Sequence, residues 1–171
     1  MTTHLTGVER TFGRDEIIVS KTDPKGRIIY ANEVFVRVGG YSEQELLGQP
    51  HSLVRHPDMP RAVFKLLWNT ISAGREMFAY VVNRAKNGDH YWVLAHVTPT
   101  FDASGGVASY HSSRRAPRRD AVAKAAALYA DIAAVERAHA DRRAGVDAGY
   151  QALLASIEKS GAPYDEFVLN L

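Results

Sequence analysis

Two turn signals, Asp23-Pro24-Lys25-Gly26 and Lys86-Asn87-Gly88-Asp89, sit inside stretches rich in β-branched and aromatic residues, and they constrain the fold more than any other feature. Each interrupts a strand-like run and lets it resume, the pattern of a β-hairpin. Ile17–Asp23 and Arg27–Asn32 therefore read as one hairpin, and Phe78–Asn83 and Tyr91–Phe101 as another. The turn Asp102–Gly106 then leads into a fifth strand, Val107–Ser112. Between the hairpins the period changes. Val34, Phe35 and Val38 recur at helical spacing before Gly39-Gly40, and Ser42 with Glu45 forms a capping box. Ala62–Ala73 gathers Val63, Leu66, Leu67, Trp68 and Ile71 largely on one face, with Gly74 as terminator. Two strands, several short helices and three strands predict an α+β fold: a five-stranded antiparallel sheet with short helices on one face.

The ends of the chain differ from this middle. Residues 1–15 are polar and without period, which predicts a loose arm or short cap. Beyond residue 117 the composition shifts to alanine and charge. Val122, Ala125, Tyr129, Ile132 and Val135 form an apolar stripe that predicts one helix over Arg118–Ala144. A second is expected over Val146–Lys159, ending at Ser160-Gly161, and the apolar closing segment Tyr164–Leu171 is expected to dock. That closing segment does not resemble a continuing linker, so a stand-alone chain is expected.

Composition excludes several functions. The chain has no cysteine, which removes disulfides, thiolate-held clusters, thiol redox sensing and any cysteinyl-flavin adduct. A formal charge of +2 is too small to argue for nucleic acid, and the cluster Arg114, Arg115, Arg118, Arg119 reads as a solvated helix entry. There is no leader-like start and no apolar run near the roughly 18 residues that cross a bilayer, so no membrane insertion and a cytoplasmic location are expected. Nucleophile-elbow, P-loop and dinucleotide-fold glycine patterns are absent, so no enzymatic activity is expected. The pairs His51/His56 and His90/His96 lack zinc-site spacing, and no metal site is expected.

The chemistry concentrates in two blocks. Arg55-His56-Pro57-Asp58-Met59-Pro60 holds a cation, an imidazole and a carboxylate between prolines that forbid a regular helix, so it presents polar side chains from a loop. The other is Asn83-Arg84-Ala85-Lys86-Asn87-Gly88-Asp89-His90-Tyr91-Trp92. With Tyr30-Ala31-Asn32, Gly40-Tyr41 and Gly48-Gln49-Pro50-His51, these blocks resemble the PAS domain of aerotaxis receptors over roughly residues 15–117. The resemblance implies a PAS fold over residues 16–117, followed by a C-terminal helical segment over 118–171. It also implies non-covalent FAD and a redox or oxygen-sensing role. In that family the loop arginine, histidine and aspartate are linked to flavin retention, which carries over to Arg55, His56 and Asp58. The later asparagine is linked to the ring edge and corresponds to Asn83. Asn32, Trp68 and Trp92 complete the expected cofactor-binding set. One departure is Met77, where flavin-binding relatives usually carry a tryptophan.

Plainer readings stand beside these. His56 and Asp58 can serve only to fix their loop, Trp68 and Trp92 to fill the core, and Asn83 to satisfy a strand-edge backbone group. A haem sensor with His51, His56 or His96 as axial ligand is a second reading. A cofactor-free module that dimerises through the Val122–Val135 stripe is a third. Output is expected through a signalling partner or a homodimer.

Overall fold

The computed structural model describes residues 4–171. Strands β1 (Ile18–Thr22) and β2 (Ile28–Ala31) make the first hairpin. Its turn is held by Asp23, whose carboxylate accepts the backbone N–H of Lys25 at 2.9 Å and of Arg27 at 2.8 Å. Helices α1 (Glu33–Gly39) and α2 (Glu43–Leu46), a single 3-10 turn (His51–Val54) and helix α3 (Arg61–Ser72) follow. The capping box forms as the sequence predicts: Ser42 Oγ accepts from Glu45 N at 3.2 Å, and the Glu45 carboxylate accepts from Ser42 N at 2.9 Å. Strands β3 (Met77–Arg84), β4 (His90–Phe101) and β5 (Val107–Arg115) complete a five-stranded sheet in the order β2-β1-β5-β4-β3, antiparallel throughout. The architecture is the expected one. Pairing β1 with β5 puts the first and last strands side by side, so the helical insert must cross one face.

The two long C-terminal helices form, but the break between them comes earlier than the predicted one after Ala144. Helix α4 (Arg119–Arg137) ends, and α5 (Arg142–Ser160) starts after Asp141, whose side chain caps Ala144 N at 2.7 Å. Helix α6 (Tyr164–Leu169) follows and docks, as the apolar closing segment suggests.

These helices bury the outer face of the sheet beside its β3 edge. Ala121, Ala125, Tyr129 and Ile132 of α4 and Val168 of α6 share one apolar cluster with Tyr80 and Val82 of β3, against which Trp92 and Leu94 of β4 pack. Tyr129 Oη donates to the Tyr80 carbonyl at 2.7 Å, and Tyr164 Oη to that of Phe78 at 2.9 Å. Helix α5 then turns back to lie beside α3, where Lys65 pairs with Asp147. The pair α4–α5 thus straddles the β3 edge. The apolar stripe that a dimerisation reading would use is buried within the chain.

The N-terminal arm is tied to the β3–β4 turn. His90 N donates to Val8 O at 2.9 Å and Arg10 N to His90 O at 2.7 Å, while Asp89 accepts from Thr6 Oγ1 at 2.6 Å and Arg10 Nε at 2.9 Å. Gly88 (φ +97°) makes both the turn and this crossing possible, since a Cβ there would lie 1.9 Å from His4 O.

Candidate functional site

A cavity of about 220 Å³ lies between the inner face of the sheet and the helical layer. Strand alternation decides which side chains reach it. On β3, Val81 and Asn83 face in while Tyr80 and Val82 face α4. On β4, Ala95 and Val97 face in. On β5, Tyr110, Ser112 and Arg114 face in. Phe64, Leu67, Trp68 and Ile71 of α3 form the opposite wall.

The proline-bounded segment runs along the free edge of β3, where Arg55 makes an antiparallel bridge to Asn83 and Val82 N lies 3.5 Å from Met59 Sδ. Neighbouring residues of an extended segment point oppositely. Arg55 therefore enters the cavity, with its guanidinium 3.8 Å over the Phe64 ring. Burial, and secondarily the Arg142 charge, lowers its pKa. Asn83 is buried, and no other described residue hydrogen-bonds its side-chain amide. Trp68 sits edge-on to Tyr110, ring centroids 5.6 Å apart, and covers Gly26, where a Cβ would come within 3.0 Å of the indole.

The other predicted residues lie elsewhere. His56, Asp58 and Trp92 line a second cavity of about 410 Å³ on the outer face, with His90, Tyr129 and Arg137. His56 Nδ1 accepts Asp58 N at 3.2 Å and lies 3.6 Å from the Asp58 carboxylate, so this pair shapes the loop. Asn32 is outside both cavities. Its Oδ1 caps α1 through Phe35 N at 3.1 Å and accepts Val19 N at 3.0 Å, while its Nδ2 donates to Ile17 O at 2.8 Å. Both polar atoms of its side chain are engaged in joining β1 to α1. Met77, the departure from the tryptophan pattern, is fully buried against Ala79 and Tyr110. Of the three histidines considered for haem, only His51 reaches the inner cavity; His96 pairs with Glu76 and stacks on Phe78 at 4.1 Å on the outer face.

Arg114 corrects the sequence reading most. It does not belong to a solvated helix entry: it is 2% exposed, with its guanidinium 4.4 Å from the Phe35 ring centroid. Its Nη2 donates to Ser20 Oγ at 2.6 Å, Nη1 lies 3.5 Å from His51 Nε2, and Nε is buried with no partner. Ser20 Oγ is in turn 3.2 Å from His51 Nε2. Burial pushes the Arg114 pKa down to about 10. Burial first, and the Arg114 charge second, press His51 down to about 3, so it is neutral. The Tyr91 hydroxyl nearby is likewise buried without a partner, and burial raises it to about 12. Lys25, His51, Arg55 and Arg114 line the cavity, and not one of its lining residues is a carboxylate. The sequence signal for Arg114 was strand parity, but the predicted fifth strand stopped at Ser112 whereas β5 continues to Arg115.

An antiparallel sheet cupping an acid-free cavity beneath short helices is the architecture of a PAS-type sensor module. The family model described as PAS fold matches residues 28–114, and the chain belongs to that family. It is 44% identical over 115 residues to the aerotaxis receptor of Escherichia coli, covering 67% of this chain and 22% of that protein. It is 30% identical over 99 residues to the nitrogen fixation regulatory protein of Klebsiella pneumoniae, covering 58% of this chain and 20% of that one. The chain thus spans about a fifth of the length of these curated relatives. Among solved structures, the light-state blue-light photoreceptor Aureochrome1 LOV superposes with a TM-score of 0.57 at 27% identity, over 63% of this chain and 87% of that one.

Proposed function

We propose that this chain is a cytoplasmic redox or oxygen sensor that holds FAD non-covalently in the inner cavity and signals through its C-terminal helices to a partner or by oligomerisation. The observation that carries this reading is the donor set: the fully buried Arg114 guanidinium and the partly buried Arg55 guanidinium, each with a buried, unpartnered Nε, together with the Asn83 amide and no opposing carboxylate. Buried donors need acceptors, and a flavin ring carries carbonyl and imine acceptors along one edge. Leu67, Trp68, Val81, Ala95 and Val97 supply apolar walls for the ring. A cavity of about 220 Å³ lies below the roughly 300 Å³ where small-molecule pockets usually begin, so it suits the ring system rather than the whole dinucleotide. Lys25 and Gly26 border it, and Lys25 offers a cation for phosphate. The relatives fit this reading: one is an aerotaxis receptor, and the blue-light photoreceptor Aureochrome1 LOV shares the fold.

Two contacts would carry a change outward. Strand β3 presents Asn83 to the cavity and the Tyr80 carbonyl to Tyr129 of α4. Helix α3 walls the cavity, and its first N–H groups are capped from α4 by Glu136, at 3.2 Å from Arg61 N and 2.7 Å from Ala62 N. The test is the absorption spectrum of the untreated protein, then titration of stripped protein with FAD. Flavin bands and saturable uptake are expected; a colourless protein that takes up no FAD while folded would reject the reading.

A further inference from the structure

We propose that the outer cavity is a second ligand site, built for a flat ring that carries a carboxylate. The sheet separates it from the inner cavity, and it is independent of the flavin reading. Its volume, about 410 Å³, lies within the roughly 300–1,000 Å³ of small-molecule pockets. Four elements supply its walls: Leu5 and Gly7 of the N-terminal arm, His56 and Asp58 of the loop, the outer face of β3 and β4, and α4. Two of these walls are apolar and face each other. On the sheet, Val82 and Trp92 form a floor, with the indole stacked on Tyr129 at 6.4 Å between ring centroids. Across from it, Ala126, Ala130, Ala133 and Arg137 follow one another at helical spacing along α4, so three methyl groups and one guanidinium share a stripe. A planar ring fills such a slot, with one face on the indole and the other on the alanines.

The polar groups favour an anion. His56 is 7% exposed, and its Nδ1 accepts Asp58 N at 3.2 Å. Burial lowers its pKa, and the neutral ring, with Nδ1 occupied as an acceptor, carries its proton on Nε2. That N–H has no acceptor among the described residues, and the ring lines the cavity. A buried donor of this kind is satisfied by a ligand oxygen. His90 stands edge-on to His56, ring centroids 5.9 Å apart, and continues the polar side. Arg137 lines the same cavity from the end of α4 and makes no ion pair among the described residues. Asp58 is the one carboxylate in the lining, and its side chain is 82% exposed beside His56 Nδ1. A ligand carboxylate therefore meets a donor from the loop and a cation from α4.

The two tryptophans of the chain report the two cavities separately, Trp68 the inner and Trp92 the outer. The test titrates the isotope-labelled full chain with benzoate and follows both indole N–H signals by NMR, with Trp92→Phe assigning them. A saturable shift of the Trp92 signal is expected, with neutral benzamide and ringless acetate each needing at least about tenfold more ligand for the same shift. Ala130→Leu fills the slot with a good helix former and should abolish the shift. Arg137→Gln, at an exposed position, should weaken benzoate by about threefold and leave benzamide unchanged. A Trp92 signal that benzoate leaves unmoved, or that benzamide or acetate moves as readily, overturns the proposal. So does a Trp92 shift that persists in Ala130→Leu. Should that variant fail to fold, Arg137→Gln decides, and benzoate affinity equal to wild type overturns the proposal. A shift confined to Trp68 assigns the anion to the inner cavity and overturns it as well.

Discussion

At the scale of single residues, the inner cavity is governed by where strand parity turns each side chain. Asn83 and Arg55 meet across one backbone bridge, and both line the inner cavity, where Arg55 Nε is buried with no protein partner. Asn83→Leu keeps the volume of the side chain and removes its donor and acceptor. It is expected to lower FAD occupancy at least tenfold, the equivalent of about 1.4 kcal/mol, with unchanged circular dichroism. Occupancy equal to wild type would remove Asn83 from the binding set. His56 and Asp58 were equally prominent in the sequence, but alternation turns them to the outer cavity. Arg114, by contrast, looked like one member of a surface cluster and is the most enclosed charge among the described residues.

At the scale of elements, the clasp of α4 and α5 around the β3 edge depends on close approach. Gly145 and Gly149 of α5 face Glu136 of α4: an added Cβ would come within 2.4 Å of the Glu136 carbonyl oxygen and 2.6 Å of its Cγ. Gly145→Ala must push the helices apart against backbone, and a loss of about 1–3 kcal/mol is expected in urea unfolding. A stability unchanged from wild type would mean that the contact relaxes freely. Tyr129→Phe leaves the buried Tyr80 carbonyl without its donor and is expected to cost about 1–3 kcal/mol. The break between α4 and α5 falls several residues before the one the sequence suggested, because Asp141 caps Ala144 N and starts α5 there. What stops the first helix is the return of α5 onto α3.

At the scale of the whole molecule, acid should act through two buried or paired groups with the same sign. His51 normally titrates at 6.5 and is held at about 3 in the fold. The unfolded chain therefore binds the extra proton between those values, and stability falls as pH drops through that window, by up to about 1.4 kcal/mol per pH unit. Asp89, lowered from 3.8 to about 2 by its hydrogen bonds to Thr6, Arg10 and Asn87, stabilises the fold above its unfolded value and loses that effect as pH falls towards 2. Thermal melts of His51→Gln against wild type are expected to show a flatter pH dependence between neutral and pH 4. Parallel curves would mean that His51 protonates in place. Asp89→Ala should free the N-terminal arm, seen as faster proteolysis ahead of Phe12 with the rest of the chain intact.

The sequence by itself determined the architecture, because its hairpin turns, capping box and changes of hydrophobic period are local signals with local causes. It also determined the family, since the blocks around Arg55 and Asn83 are contiguous in the chain. Only the tertiary structure decided which of those polar residues share a cavity. That depends on how far β5 runs, on which side of β3 a neighbouring segment turns each side chain, and on how α5 folds back, all of which are set by packing between residues far apart in sequence. A buried arginine and a solvated one carry the same letter; the difference lies in the desolvation imposed by the strands and helices around it.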